Sequence, residues 1–133
     1  MSSGLFNLNG KRALITGSSQ GIGFALAKGL ATEGVEIVLN GRNAEKLASA
    51  AKTFEADGVK THQLAFDATD HTAVREAIDG FESASGAIDI LVNNAGMQHR
   101  TALQDFPPEA FEQLLQTNIA SVFHVGQAVA LHM

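Results

Sequence analysis

Three glycines, Gly17, Gly21 and Gly23, stand where a short apolar run gives way to a helical pattern. The run before them, residues 12–16, is mostly apolar, as a strand buried in a parallel sheet is. From Ile22 onward, apolar residues recur at three- and four-residue spacing, which predicts an amphipathic helix. A glycine-rich turn that opens a helix leaves backbone N–H groups unpaired at the positive end of the helix dipole. The segment therefore predicts a turn that binds a pyrophosphate.

The spacing of the three glycines differs from that of the general dinucleotide fingerprint, G-x-G-x-x-G. A Walker A loop is excluded as well, because no Gly-Lys-Ser/Thr follows the turn. A purely structural turn is the alternative, but it explains one glycine more easily than three. We expect Ser19, Gln20 and Ile22 to bind the cofactor together with the glycines.

Strands and helices alternate along the rest of the chain. The predicted elements after the first strand and helix are a strand at 35–39, a helix at 44–54, a strand at 60–66, a helix at 70–84, a strand at 88–92 and a helix at 109–131. This alternation predicts βαβ units with right-handed crossovers. We therefore expect an α/β fold with a Rossmann-type, doubly wound parallel sheet, whose ligand lies at the carboxyl ends of the strands.

Composition narrows the class of protein. The 133 residues suit one domain, and a net charge of -5 argues against a nucleic-acid surface. The absence of cysteine excludes a thiol nucleophile and is compatible with the cytoplasm. The five histidines lack the spacing of metal ligands, so no metal is predicted. The longest apolar stretch, residues 119–133, is interrupted by polar side chains and predicts a buried helix rather than a membrane span.

The end of the second predicted strand decides which nicotinamide cofactor fits. An acidic residue there would bind the ribose hydroxyls of NAD, but the sequence is Asn40-Gly41-Arg42. No carboxylate repels a 2′-phosphate, and Arg42 can pair with one through charge-assisted hydrogen bonds. The alternative is a solvated arginine in a polar turn. We predict NADP rather than NAD.

Asp67 and Ala68 end the third predicted strand. The carboxylate of Asp67 can accept a hydrogen bond from the amino group of adenine, while the following backbone N–H can serve a ring nitrogen. Asp67 can instead form the turn into the third helix together with Thr69 and Asp70. Spacing alone leaves both interpretations open.

Asn94, Ala95 and Gly96 follow the fourth predicted strand. Small residues let the backbone approach a ligand, and the asparagines here can tie neighbouring strands together. Beyond them, Arg100 can bind the carboxylate of an acidic substrate, although a surface pair with Asp105 or with a neighbouring subunit is an alternative.

Asn118 lies inside the last helical pattern, where asparagine is a poor helix former and a buried amide needs partners. That position favours a functional role for the side chain. The alternative is an asparagine that is satisfied by local backbone groups.

The pattern T-G-x-x-x-G-x-G at 16–23, paired with N-N-A-G at 93–96, resembles the short-chain dehydrogenase/reductase family over essentially the whole chain. The resemblance implies that Asp67 contacts adenine and that Asn94 and Gly96 lie along the ribose next to the nicotinamide. It implies an NADP-dependent oxidoreductase that interconverts a secondary alcohol and a ketone.

The same resemblance places Asn118 in an active-site tetrad with a serine, a tyrosine and a lysine, where it helps to hold a water that relays protons to the lysine. The chain contains no tyrosine, the general acid/base of the family. We therefore expect residues 1–133 to be the NADP-binding N-terminal half of a single Rossmann-fold domain, incomplete at its C-terminal side and inactive alone. The family also implies a homo-tetramer at full length.

Residues 5–11, 39–43 and 95–100 resemble the gluconate 5-dehydrogenases within that family. This resemblance implies reversible NADP-linked reduction of 5-ketogluconate to gluconate, with a polyol or keto-acid as substrate and no nucleic-acid or membrane partner. The alternative from another class is a catalytically inactive NADP-binding or interaction module.

Overall fold

Alternating strands and helices build the part of the chain that the computed structural model describes, residues 4–133, so that the first three residues of the predicted 1–133 unit lie outside it. In chain order the elements are β1 (Arg12–Ile15), α1 (Gly21–Thr32), β2 (Glu36–Gly41), α2 (Ala44–Ala56), β3 (Thr61–Ala65), α3 (His71–Ser85), β4 (Ile90–Val92), a 3-10 turn (Leu103–Asp105), α4 (Pro108–Leu115), a π-helical turn (Gln116–Ala120) and α5 (Ser121–Ala130).

All four strands are parallel and lie in the order β3-β2-β1-β4. Ala13 of β1 is in register with Ile37 of β2 on one side and with Ile90 of β4 on the other. The chain therefore runs outward from β1 to β3 and then crosses back to β4, which places the topological switch point beside β1. The predicted Rossmann-type parallel sheet is confirmed. The C-terminal ends of its strands form what we call the carboxyl edge, and the glycine turn leaves β1 at this edge.

Both faces of the central strands are buried. Leu14 and Val38 belong to the apolar cluster on the side of α3 and α5, whereas Ile15, Ile37 and Leu39 belong to the cluster on the side of α1 and α2. All five are completely excluded from solvent. Burial on two faces explains why these strands have continuous apolar sequences instead of alternating ones. The helices on the two faces hold the sheet, and hence its carboxyl edge, in place.

The last predicted helix, residues 109–131, is divided in the structure. Two helices, α4 and α5, are joined by the π-helical turn, which the sequence did not predict. Val125 and Val129 of α5 are buried, but Phe111, Ile119 and Phe123 are 53%, 63% and 62% exposed. The buried helix predicted for residues 119–133 is therefore buried on one side only, and its other apolar side is open in residues 4–133. In that same range we find no helix with the length and apolar character that a bilayer span requires.

Candidate functional site

The glycine turn between β1 and α1 requires its three glycines for two different reasons. Gly17 and Gly21 have φ angles of 60° and 65°, in the left-handed region that favours glycine. Gly23 is buried, and a Cβ there would collide with the carbonyl oxygen of Gly17 and lie 2.5 Å from Nδ2 of Asn94. The start of α1 therefore contacts the ends of β1 and β4 directly. The geometry of the turn therefore requires all three glycines.

The first turn of α1 is left open to a ligand. Gln20 is the N-cap residue, and its side chain makes no capping hydrogen bond. Phe24 donates its backbone N–H to the carbonyl oxygen of Gln20, 3.4 Å away, as the first bond of the helix. Gln20, Gly21 and Ile22 are exposed, with Ile22 at 74%. The uncapped N–H groups at the positive end of the helix dipole can therefore bind an anion.

Asn40, at the end of β2, ties three strand ends together and is only 2% exposed. Its Oδ1 accepts from the backbone N–H of Gly17 at 3.1 Å. Its Nδ2 donates to the carbonyl oxygens of Leu64 at 2.9 Å and Phe66 at 3.3 Å. Its backbone N–H donates to Oγ of Ser18 at 3.0 Å, and its carbonyl oxygen accepts from the N–H of Ser18 at 2.8 Å. One neutral side chain thus fixes the glycine turn relative to β2 and β3.

Neither Asn40 nor the buried Ser18 was predicted from the sequence to have a role. The available signal was the polar side chain at the end of an otherwise apolar strand. Such a residue, once buried, needs partners for its amide. Its actual partners lie 23 to 26 residues away in the sequence, so local spacing could not identify them.

Thr16 and Asn94 join β1 to β4 at the same edge. Oγ1 of the buried Thr16 accepts from the backbone N–H groups of Asn94 and Ala95, both at 2.9 Å. Nδ2 of Asn94 donates to the carbonyl oxygens of Thr16 and Gly17, both at 3.1 Å. The expected tie between neighbouring strands is present at Asn94. Both N–H bonds of its amide are used within the protein, which leaves Oδ1 as its remaining polar atom.

Asp67 forms the turn that the sequence offered as one of two interpretations. Its Oδ1 accepts from the backbone N–H of Thr69 at 2.9 Å and from the Thr69 hydroxyl at 2.7 Å. Partial burial opposes ionisation, but these bonds and the positive charge of Arg42 outweigh it and lower the pKa of Asp67. Among residues 4–133 no hydrogen bond involves Oδ2. The ionised carboxylate therefore keeps one oxygen for a ligand, next to the buried Ala68.

Arg42 and Arg100 are the two cations predicted at opposite ends of the site. Both are exposed, and no carboxylate of the described residues lies within 4 Å of either guanidinium. The alternative partner of Arg100, Asp105, therefore forms no ion pair with it. Next to Arg100, Nε2 of His99 lies 3.0 Å from the Thr101 hydroxyl. Both guanidinium groups are available to an anionic ligand.

Asn118 lies on the π-helical turn and faces the segment that follows β4. Its Oδ1 accepts from the backbone N–H of Met97 at 2.8 Å, and its Nδ2 donates to the carbonyl oxygen of Met97 at 2.9 Å. A Cβ at Gly96 would lie 3.0 Å from this Oδ1. The amide was predicted to be buried, and this prediction is wrong: Asn118 is exposed, because the face of the helix that carries it is open here. Its partner is also not local backbone but a loop 21 residues earlier.

In residues 4–133 no group of three or more histidine or carboxylate side chains is arranged so that it could hold a metal ion. The site contains a helix N-terminus, neutral amides, the carboxylate of Asp67 and the unpaired cations Arg42 and Arg100. Such a set of groups can bind an elongated polyanion along the carboxyl edge of the sheet.

Comparison with known proteins gives consistent matches along the chain. A family model described as short chain dehydrogenase matches residues 11–133. Over 129 residues the chain is 54% identical to a gluconate 5-dehydrogenase of Gluconobacter oxydans (strain 621H), covering 97% of this chain and 50% of the relative. It is 40% identical to a 5-keto-D-gluconate 5-reductase of Escherichia coli (strain K12), covering 97% of this chain and 51% of that relative.

Among solved structures, a gluconate 5-dehydrogenase from Burkholderia cenocepacia J2315 in complex with NADP and tartrate matches with a TM-score of 0.92 and 52% identity. The match covers 96% of this chain and 50% of that structure. The chain thus spans about half the length of the relatives that it matches.

Proposed function

The chain belongs to the short-chain dehydrogenase family, and on that premise we propose that residues 1–133 form the NADP-binding N-terminal half of a single Rossmann-fold domain in an oxidoreductase. The observation that carries the proposal is the glycine turn. Its helix starts without a side-chain cap, and it is held against β1 and β4 by the fit at Gly23. A turn built in this way is suited to the pyrophosphate of a dinucleotide.

NADP is proposed as the cofactor because of the charge at the end of β2. Arg42 follows two uncharged residues, and no carboxylate of the described chain pairs with it. A relative of known structure is in complex with NADP. The free Oδ2 of Asp67 can accept from an adenine amino group, and Asn94, Ala95 and Gly96 provide a small-residue edge for the ribose next to the nicotinamide. When bound, NADP supplies or accepts the hydride.

Asn118 is proposed to hold a water for the reaction rather than to transfer a proton itself. The backbone of Met97 occupies one hydrogen-bonding position on Oδ1 and one on Nδ2 of Asn118. Each of these two atoms therefore has one more position that can bind a water. Reduction of a ketone also needs a general acid at the developing alkoxide. The sequence contains no tyrosine to act as that acid. We therefore expect no measurable dehydrogenase turnover from the 133-residue chain alone.

The proposed substrate pair is gluconate and 5-ketogluconate, on the strength of the two relatives that carry those activities. Arg100 is exposed and unpaired in the described chain, and it follows the small-residue edge closely in sequence. A guanidinium at that place suits the carboxylate of a sugar acid. A homo-tetramer at full length remains a prediction, which the open apolar side of α4 and α5 supports. The cytoplasm remains the predicted location.

Calorimetric titration with NADP and NAD tests the cofactor proposal. We expect the wild-type chain to bind NADP more tightly, and Arg42→Ala to weaken NADP by roughly tenfold while NAD changes little. Arg75→Ala, at an exposed arginine of α3, is the matched control. Equal wild-type affinity for the two cofactors, or an unchanged NADP affinity of Arg42→Ala, would contradict the assignment.

Activity separates the enzyme from an inactive binding module. A full-length form is assayed for NADPH-dependent reduction of 5-ketogluconate beside a panel of polyols and other keto-acids. Turnover of 5-ketogluconate supports the proposal, whereas NADP binding without turnover of any substrate would favour the module. Clear turnover by the 133-residue chain would refute the expectation that its proton donor lies elsewhere.

A further inference from the structure

A cavity of about 430 Å³ lies between the glycine turn and α2. Its size falls in the range of small-ligand sites. Residues that offer a polar side chain or an exposed backbone line it on both sides: Ser19, Gln20 and Gly21 from the turn, and Lys46, Ser49 and Thr53 from α2. The one cation among these lining residues is Lys46.

The first turn of α2 fixes the position of Lys46 relative to Arg42. Asn43 caps the helix, and its Oδ1 accepts from the backbone N–H groups of Glu45 at 2.9 Å and Lys46 at 3.1 Å. The cap follows Arg42 directly, so both cations are attached to the same rigid junction between β2 and α2. Both cations are therefore carried by the same short segment of the chain, and Lys46 lies across the cavity from the turn.

Lys46 is not used in an ion pair. In residues 4–133 no carboxylate oxygen lies within 4 Å of its ammonium group. The whole chain has a net charge of -5, so an unpaired cation at an anion site opposes the overall field of the protein. The glycine turn itself contributes no cation, because its three inner residues are Ser18, Ser19 and Gln20.

A phosphate monoester carries roughly -1.5 to -2 charges at neutral pH. One guanidinium at Arg42 balances about one of these charges and leaves the remainder for a second cation or for water. The ammonium group of Lys46 supplies a second positive charge for the phosphate, and the hydroxyls of Ser49 and Thr53 line the same cavity. NAD has no phosphate at this position, so such a cation discriminates between the two cofactors.

We propose that Lys46 is a second specificity-determining cation, which acts with Arg42 and binds the 2′-phosphate of NADP from the α2 side of this cavity. The proposal rests on the proposed NADP function. It concerns cofactor choice and involves no step of the reaction.

The test compares two lysines of the same helix. Lys46→Met and Lys52→Met remove the same charge, but Lys52 does not line the cavity. NADP and NAD are titrated calorimetrically into each 133-residue variant, after circular dichroism has shown that its fold is retained. We expect Lys46→Met to weaken NADP by about tenfold and NAD by less than about twofold, since a charge-assisted hydrogen bond is lost only with NADP. Lys52→Met should change neither, and Lys46→Arg should keep the preference.

The outcomes separate this inference from the proposed function. A wild-type preference for NADP that Arg42→Ala removes and Lys46→Met leaves intact would overturn the role of Lys46 alone. Equal effects of Lys46→Met and Lys52→Met would overturn it too, because only the general field would then be acting. A wild-type chain without a preference for NADP would overturn both. If Lys46→Met does not fold, Lys46→Gln provides the same comparison.

Discussion

The two edges of the sheet hold their strands together by different chemistry. At the amino edge, Glu36 at the start of β2 pairs with Arg12, with Lys60 at 2.9 Å and with His62 at 3.3 Å. Partial burial opposes ionisation of this carboxyl group, but the three cationic or polar partners outweigh it and lower its pKa to about 2. At the amino edge the strands are therefore connected by ion pairs.

At the carboxyl edge, the strands are joined by the neutral side chains of Thr16, Asn40 and Asn94. A carboxylate in their place would repel a phosphate group, and a buried cation would need a partner of its own. Neutral amides connect the strands without adding a fixed charge and leave the uncapped start of α1 available. One strand, β2, thus carries an ionic junction at one end and the proposed binding site at the other.

The largest expected effect comes from closing the space at Gly23. Gly23→Ala places a methyl group against the carbonyl oxygen of Gly17 and 2.5 Å from Nδ2 of Asn94, which forces α1 away from β1 and β4. We expect a loss of about 3 kcal/mol in the free energy of unfolding and of roughly 100-fold in NADP affinity, because the N–H groups of α1 move with the helix. Urea denaturation and calorimetric titration measure the two.

Gly29→Ala, in the same helix, is the matched control for Gly23→Ala. A Cβ at Gly29 has no atom within 4 Å, so the substitution should raise the free energy of unfolding by about 0.5 to 1 kcal/mol and leave NADP affinity unchanged. A similar loss of affinity in both variants would show that the effect belongs to the helix as a whole and not to its contact with the carboxyl edge.

The next effect concerns the amide at the carboxyl edge. Asn40→Ala leaves the N–H of Gly17 and the carbonyl oxygens of Leu64 and Phe66 without their partner. We expect a loss of about 2 kcal/mol in the free energy of unfolding and of about tenfold in NADP affinity. Asn7→Ala removes an exposed hydrogen bond from the backbone N–H of Asn9 to the side-chain amide of Asn7, and it should change the free energy of unfolding by less than about 0.5 kcal/mol. Unchanged NADP binding by a destabilised Asn40→Ala would break the proposed link between this edge and the cofactor.

The smallest effect concerns the amino edge and depends on pH. The folded pKa of Glu36, about 2, is below its ordinary value of 4.5, so its contribution to stability is present above pH 4.5 and is lost as pH falls through 2. We expect wild type to lose about 1.5 kcal/mol more than Glu36→Gln between these pH values, less than half of the full pKa difference, because the exposed Lys60 is screened by solvent. NADP affinity at pH 7 should be the same in both. Equal pH dependence of the two proteins would refute the ionic junction.

Local patterns were sufficient to predict the strands and the helices up to residue 85, because each has an apolar period and a glycine or polar residue at its boundary. The glycine turn was predictable for the same reason. The hydrogen bonds of Asn40 were not, since its partners lie at the ends of two other strands, β1 and β3. The π-helical turn was not predicted either, because its sequence fits an ordinary helix. The contact that Asn118 makes from this turn joins it to Met97, 21 residues earlier, and local spacing does not reveal such a contact.

That π-helical turn gives the chain one place where a residue can be lost without moving the core. In a regular helix each residue advances the direction of the side chains by about 100°, but a π-helical turn holds about one residue more than an ordinary turn. Deleting one residue between Gln116 and Ala120 would therefore convert the wide turn to an ordinary one and leave the direction of α5 unchanged. Val125 and Val129 would keep their places in the cluster with α3. The loss would fall on the contact between Asn118 and Met97, which the wide turn carries.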